Sequence, residues 1–455
     1  MKRAAALAIA LLGLPRLAEA GTCVGRPTDA GGYAGYTYGA AEVKSFAGTA
    51  VRVHYATSGQ HAPNLATTRQ DGVPDTVALA ADLGDQALGK YAAMGYKAPP
   101  SDASCASNGG DDKLDIYLVA FAGADGTTVP DNCNGNVCGS FVLSESTFTG
   151  RGYASAQEGF STVVTHELFH AVQNAYDQGV DRFWAEGTAQ WAMKVVHPDL
   201  SDFERQLPAF FAEPNRSIDT QPSGVTAGYL YGSSVWPLFL ATKYGEDTVR
   251  AVYDGEAAGA KAIDATDAVL KAKGTSLAEA FPLFWAWNAA TKAYAGAGGY
   301  PDAAKYPGVK LTPFQDGTTG ITSGLGAFLY LASSATSWRL ALDTDPARNA
   351  GLVVPLEGGK AALDRAKPLA GGGHVDLGEG DAIVVVAGIT TKKTDAKFTL
   401  SIVPAQDLGN DVPGASSSGG GGGDSGGCRT SPRGGDGLAG LALLAAGVVL
   451  ARRRR

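Results

Sequence analysis

Basic charge, cysteine and long hydrophobic runs are all scarce in this sequence, and each shortage excludes something. Lysine and arginine number 37 against 45 aspartates and glutamates, for a formal net charge of −8. Both ends are locally basic: residues 1–20 carry +2 and residues 429–455 carry +5, which leaves a body near −15. Such an acidic body repels a polyanion, so nucleic acid is excluded as a partner. Two apolar runs, 4–14 and 437–451, are shorter than the roughly 20 residues of an ordinary membrane helix. The first follows Met1-Lys2-Arg3 and precedes Ala18-Glu19-Ala20, the arrangement of an export signal (1–20) cleaved before Gly21. The five cysteines fit an exported chain: Cys23, Cys105, Cys133 and Cys138 stand in the front half and Cys428 alone near the end. Four cysteines allow three pairings. The short, turn-rich stretch between Cys133 and Cys138 favours a local disulfide there and another joining Cys23 to Cys105. Zinc binding by the Cys133/Cys138 pair is the disfavoured alternative, because an exported chain oxidises such thiols.

What the chain does have is one stretch dense in chemistry. Thr165-His166-Glu167-Leu168-Phe169-His170 is followed, sixteen residues after His170, by Glu186 within Trp184-Ala185-Glu186-Gly187-Thr188. Residues four apart lie on nearly one helix face, so His166 and His170 can aim at one metal with Glu167 beside the open position. A catalytic zinc takes three protein ligands and leaves one place for water, whose pKa it lowers to about 7. Glu167 is then the candidate general base. Phe160, Val164, Leu168, Val172 and Ala175 form an apolar stripe at helical spacing, which predicts a helix over 157–177 with both histidines off the stripe, towards a cleft. The third ligand is Glu186, near the start of a second helical run, 187–196, folded back through Asp177-Gln178-Gly179; Asp177 and Asp181 compete for the role. The metzincin pattern is absent, since Gln173 and Tyr176 occupy the places of its glycine and third histidine.

These residues, with Trp184, Glu186-Gly187-Thr188-Ala189 and the later Tyr231-Gly232-Ser233-Ser234, resemble the gluzincin zinc peptidases, and more closely the secreted metalloproteases of myxobacteria. The resemblance covers roughly 45–295. It implies one Zn2+ per chain held by His166, His170 and Glu186, with Glu167 as base. It also implies a tyrosine steadying the oxyanion, Tyr231 in preference to Tyr229. In thermolysin-like members an aspartate four residues after the third ligand orients a histidine; here that place is Gln190. The Gly-x-Met-Glu-Asn signature of the aminopeptidase branch is missing, which points to an endopeptidase.

The expected fold is α+β. A zincin-like domain (21–300) combines an N-terminal mixed sheet with helices and a helical lower lobe, and a small antiparallel β-sandwich follows at 306–405. Strands are expected at 51–55, with His54 turned to solvent, at 114–119 and at 139–143, the last being the candidate to pair with substrate backbone. Asp71 and Asp75 open a helix reaching about 94; helix capping is the preferred role, with a structural Ca2+ as the alternative. His197 is expected to meet the C-terminal carbonyls of the second metal helix. Helices are expected at 201–212, 234–244, 246–253, 262–273 and 276–294. His374 falls in an exposed glycine-rich loop. Residues 406–427 form a Gly/Ser linker. Cys428, the short apolar run and Arg452–Arg455 (428–455) resemble the MYXO-CTERM sorting tail, which implies cutting by a sorting protease and a protein on or released from the cell surface; a single-span anchor is the alternative. The function expected is hydrolysis of protein or peptide substrates, with membrane contact only through the tail. A surface adhesion protein on an inactive peptidase-like fold is the alternative.

Overall fold

The computed structural model describes residues 23–403; the stretches read above as export signal (1–20), linker (406–427) and sorting tail (428–455) lie outside them. The fold is α+β with three sheets. The first sheet holds β1 (Val43–Ala47), β2 (Val51–Ala56), β3 (Leu114–Val119), β4 (Gly126–Asn134) and β5 (Val137–Glu145), in the order β1-β2-β3-β5-β4. β2, β3 and β5 are parallel, and β1 and β4 are antiparallel edges. Period-two alternation places Val51, Val53, Tyr55, Ile116, Leu118 and Val142 on one face, which packs under α1 (Asp75–Ala93) and α2 (Ala156–Asn174). The other face carries Tyr117, Phe141 and Leu143, against Tyr36 and Tyr38 of the N-terminal segment.

That covered second face corrects two expectations. His54 is 4% exposed, stacked on Tyr117 and bonded through Nε2 to Asp115 at 2.8 Å, because residues 23–41 shut the solvent out. Beside it Arg26, fully buried, donates to Asp102 at 2.7 Å and Asp131 at 2.6 Å. The second correction concerns 139–143: β5 is paired on both sides, so it has no free edge for a substrate. The free edge belongs to β4, which the sequence reading missed, its turn-rich composition and Pro130 masking a strand that only an edge tolerates. Cys23 is bonded to Cys105, and Cys133 to Cys138 across the β4–β5 hairpin, the expected pairing. Neither Asp71 nor Asp75 caps α1: Asp75, its first residue, accepts from the Thr68 backbone, Asp71 pairs with Arg69, and no metal-ligating cluster forms there among the described residues.

The helical lobe comprises α3 (Arg182–Val196), α4 (Asp202–Phe211), α5 (Gly228–Gly232), α6 (Val235–Tyr244), α7 (Asp247–Ala257), α8 (Ala262–Ala272) and α9 (Leu277–Ala289). α9 stops five residues before the expected end, and a 3-10 turn follows at Lys292–Tyr294. The remaining strands are β6 (Thr312–Pro313), β7 (Thr318–Ser323), β8 (Ala327–Ser334), β9 (Trp338–Thr344), β10 (Asn349–Glu357), β11 (Lys360–Ala361), β12 (Lys367–Leu369), β13 (Gly373–Leu377), β14 (Gly380–Gly388) and β15 (Asp395–Val403). They form a sheet ordered β11-β10-β14-β8-β6, with β12 on β10, facing a sheet ordered β13-β9-β15-β7. Pairing is antiparallel except between β6 and β8. His374 lies in β13 and is exposed. In β14, Ala382, Val384 and Val386 fill the space between the sheets, while Ile383, Val385 and Ala387 join the helical core against α9. Burial on both faces explains its unbroken apolar run. No helix among the described residues is long and apolar enough to cross a membrane.

Candidate metal centre

α2 is a core helix on one side and a ligand-bearing helix on the other. Ser155 caps it by accepting from the Glu158 N–H at 3.1 Å, while the Glu158 carboxylate accepts from the Ala154 N–H at 2.6 Å. Phe160, Val164, Leu168, Val172 and Ala175 are all buried in the core, as the 3.6-residue period requires. The helix ends at Asn174, earlier than the expected 177, and the chain turns through 175–181 into α3. This turn lays α3 antiparallel beside α2 and brings Glu186, in its second turn, over the two histidines.

The three donors converge. His166 Nε2 lies 3.1 Å from His170 Nε2, and the Glu186 carboxylate stands 3.4 Å from the first and 3.5 Å from the second. Ligands about 2.0–2.2 Å from a tetrahedral zinc stand about 3.3–3.6 Å apart. The observed edges match within a few tenths of an ångström, and two imidazoles with one carboxylate are a donor set that zinc accepts. Burial draws the His170 imidazolium down, but the Glu186 carboxylate, with Glu167 and Gln173, outweighs it and holds His170 at about 9. Burial pushes the Glu186 carboxyl up, and the two imidazoles more than reverse this, holding it well below the usual range. Neither competing carboxylate joins the cluster. Asp177 accepts from the Gly179 N–H at 2.7 Å, and Asp181 precedes α3 with Lys261 3.8 Å away.

Glu167 is held from the sheet. The Thr128 hydroxyl on β4 shares its one proton between the Glu167 carbonyl at 2.6 Å and Oε2 at 2.9 Å, and no protein hydrogen bond to Oε1 is found among the described residues. The approach is close: a Cβ on Gly126 would stand 2.5 Å from Val163 Cγ1 and 3.0 Å from Glu167 Cγ, so only glycine lets the start of β4 lie against α2 here. Gly187 has the same role on the opposite wall, where a Cβ would meet Ser233 Oγ at 2.7 Å. The contact docks the α5–α6 joint on α3 and puts the Tyr231 ring 5.8 Å from that of His166. Tyr229 turns away and donates to the Arg216 carbonyl at 3.1 Å. Burial, then the charges of Glu186 and Glu167, push the Tyr231 phenol far above its ordinary value, so it stays a donor.

Two sequence expectations about the surroundings are corrected. Gln190 does not orient a histidine; it donates to Asp202 at 2.5 Å, away from the metal ligands. The histidine is met instead by Gln173, whose Oε1 lies 2.7 Å from His170 Nδ1. His197 faces the Thr165 hydroxyl at 3.0 Å, not the last carbonyls of α3. Arg182, one turn before Glu186, is another residue that sequence reasoning passed over: it acts electrostatically on Tyr231, and its buried Nη2 has no hydrogen-bond partner. The sequence signal that could have found Gln173 was its i+3 spacing from His170, which puts it on the same helix face.

Neither a protein-family model nor a curated protein matches this chain. Among solved structures, similarity extends to about a fifth of it. A periplasmic inhibitor of g-type lysozyme from Salmonella Typhimurium matches at TM-score 0.17 and 10% identity, over 21% of this chain and 99% of that one. The pre-peptidase C-terminal domain of a Bacillus anthracis collagenase matches at 0.16 and 12%, over 21% and 95%. A mutant of the Escherichia coli inhibitor of g-type lysozyme matches at 0.15 and 10%, over 19% and 85%. Likenesses this weak carry no argument about function.

Proposed function

We propose that this protein is an exported zinc-dependent endopeptidase with a zincin-like catalytic domain, its zinc held by His166, His170 and Glu186. The observation that carries the reading is the triangle of 3.1, 3.4 and 3.5 Å between two imidazole nitrogens and a carboxylate. Zinc bound there would supply Lewis acidity and a water of pKa about 7. Glu167, tethered by Thr128 through one oxygen, takes the proton from the attacking water and passes it to the leaving amine. Tyr231, kept protonated, donates to the oxyanion from the opposite wall. The free edge of β4 beside Glu167 offers backbone groups to an extended substrate. Export is supported by the two disulfides, which persist in oxidising compartments.

The test is zinc content and casein cleavage of purified wild type beside Glu167→Ala. The expected result is one zinc in both, with cleavage lowered about 10²–10⁴-fold or more in the variant, the usual range for a general base. Zinc in both without cleavage of any protein offered would favour the adhesion alternative. Absence of zinc from the wild type would overturn the site.

A further inference from the structure

We infer that Gln173 is a positioning residue that sets the tautomer of His170 and ties it to the helix bearing Glu186. This rests on the zinc reading above and adds to it what holds the second ligand in place. Gln173 follows His170 by three residues on α2 and is 3% exposed. Its amide could in principle face either way, since oxygen and nitrogen are nearly alike in size, and only the partners decide. Here they do decide. Gln173 Nε2 lies 2.8 Å from the Ala185 carbonyl, which can only accept, so this atom must be the NH2. The atom 2.7 Å from His170 Nδ1 is therefore the amide oxygen, which can only accept, and Nδ1 must carry the proton. In the neutral ring that a metal ligand must be, the lone pair then lies on Nε2, the atom in the ligand triangle.

The remaining donor is accounted for as well. The second N–H of Gln173 points to Thr188 Oγ1 at 3.0 Å. Thr188 gives its own proton to the Trp184 carbonyl at 2.6 Å, so it accepts from Gln173 and from the Tyr253 hydroxyl on α7. Donation runs from His170 to Gln173 to Thr188, and the Tyr253 hydroxyl donates to Thr188 from the other side, so every group keeps a single consistent role. Ala185 and Thr188 flank Glu186, so one amide sets the spacing between the second histidine ligand and the carboxylate ligand. His166 is not held this way: no protein partner for its Nδ1 is found among the described residues. Partners in this second layer are commonly worth 10–100-fold in metal affinity.

The experiment measures zinc affinity of the full chain by chelator competition for wild type, Gln173→Met, Gln173→Glu and Thr188→Val, with histidine ¹⁵N–¹H spectra of the zinc-loaded forms. Gln173→Met keeps the volume and removes the acceptor; it should bind zinc 10–100-fold more weakly and lose the single Nδ1–H signature of His170. Gln173→Glu keeps an acceptor on Nδ1 but gives up the donors to Ala185 and Thr188, so it should keep the Nδ1–H signature and recover part of the affinity that Gln173→Met loses, while Thr188→Val should stay within a few-fold of wild type. A merely structural role would not make the Glu variant rescue what the Met variant loses. Wild-type affinity and an unchanged tautomer in Gln173→Met overturn the inference. So does a Gln173→Glu variant that loses the Nδ1–H signature of His170, which also decides the matter should Gln173→Met fail to fold. A wild type that binds no zinc overturns the zinc reading itself, a result distinguishable from either.

Discussion

Two buried groups of histidine and carboxylate lie on opposite sides of the five-stranded sheet, and they are built on opposite logic. Behind the sheet, Arg26 faces Asp102, Asp131 and Asp115 while His54 bonds to Asp115, so each carboxylate has a partner in the protein, although Asp102 Oδ1 finds none among the described residues. In front of it, His166, His170 and Glu186 converge on one point with no lysine or arginine among them, so a proton or a metal ion must supply the positive charge there. The first arrangement is closed on itself and holds the N-terminal segment to β4. The second is incomplete without a positive charge, which distinguishes a ligand site from a structural ion network. Even the other close group of candidate ligands, Cys23, Cys105 and Asp131, belongs to the closed kind, because its sulfurs are spent in a disulfide.

Removing the cation from the closed group should give the largest effect on stability. Arg26→Met would leave buried carboxylates uncompensated, at a cost of roughly 3–5 kcal/mol. Denaturant melts should show the loss, while folded protein still takes up one zinc; a variant as stable as wild type would mean that the network is not closed as described. At the open site the contrast should reverse. Tyr231→Phe removes one hydroxyl from the cleft and should lower kcat by about 10²–10³-fold with little change in Tm. Unchanged turnover would take Tyr231 out of the mechanism.

The smallest and most diagnostic case is a carboxyl belonging to neither group. Glu256 in α7 is pushed up to about 8 by burial, reinforced by Asp181 and Asp177 and only partly opposed by the Trp184 indole, and its Oε2 lacks a well-formed hydrogen bond among the described residues. The folded state then keeps a proton that the unfolded chain releases near 4.5, so stability is lost as pH rises from about 4.5 to about 8 and levels off above. Glu256→Gln should abolish this loss, its advantage over wild type growing across that window to on the order of 3 kcal/mol. Melting temperatures measured at pH 5 and pH 8.5 decide it: an equal gap at both would show that Glu256 is not held protonated.

The chemistry-bearing half of the site was legible because it is local. His166, Glu167 and His170 lie within one helical turn, and the stripe through Phe160, Val164 and Leu168 says which side of that helix is core. The helical lobe was legible for the same reason, and so were β8, β9, β10, β14 and β15 of the ten sandwich strands described, since period and turn residues act over a few positions. β4 was not, because its strand character depends on pairing with β5 and its edge position excuses Pro130. His54 was misplaced because alternation along β2 reports which side a residue faces but not whether a distant segment covers that side.

By itself, the sequence determined the helix, the identity of the two imidazoles and of the carboxylate between them, and the cysteines available to pair. Only the tertiary structure decided which of Glu186, Asp177 and Asp181 completes the triangle, which tyrosine stands over His166, and that Gln173 and not Gln190 meets His170. Those choices depend on the angle at which α3 and α5 pack on α2, set by close approaches such as Gly187 on Ser233. Interhelical contact is a sum over residues far apart in the chain, and a periodic pattern carries no record of it.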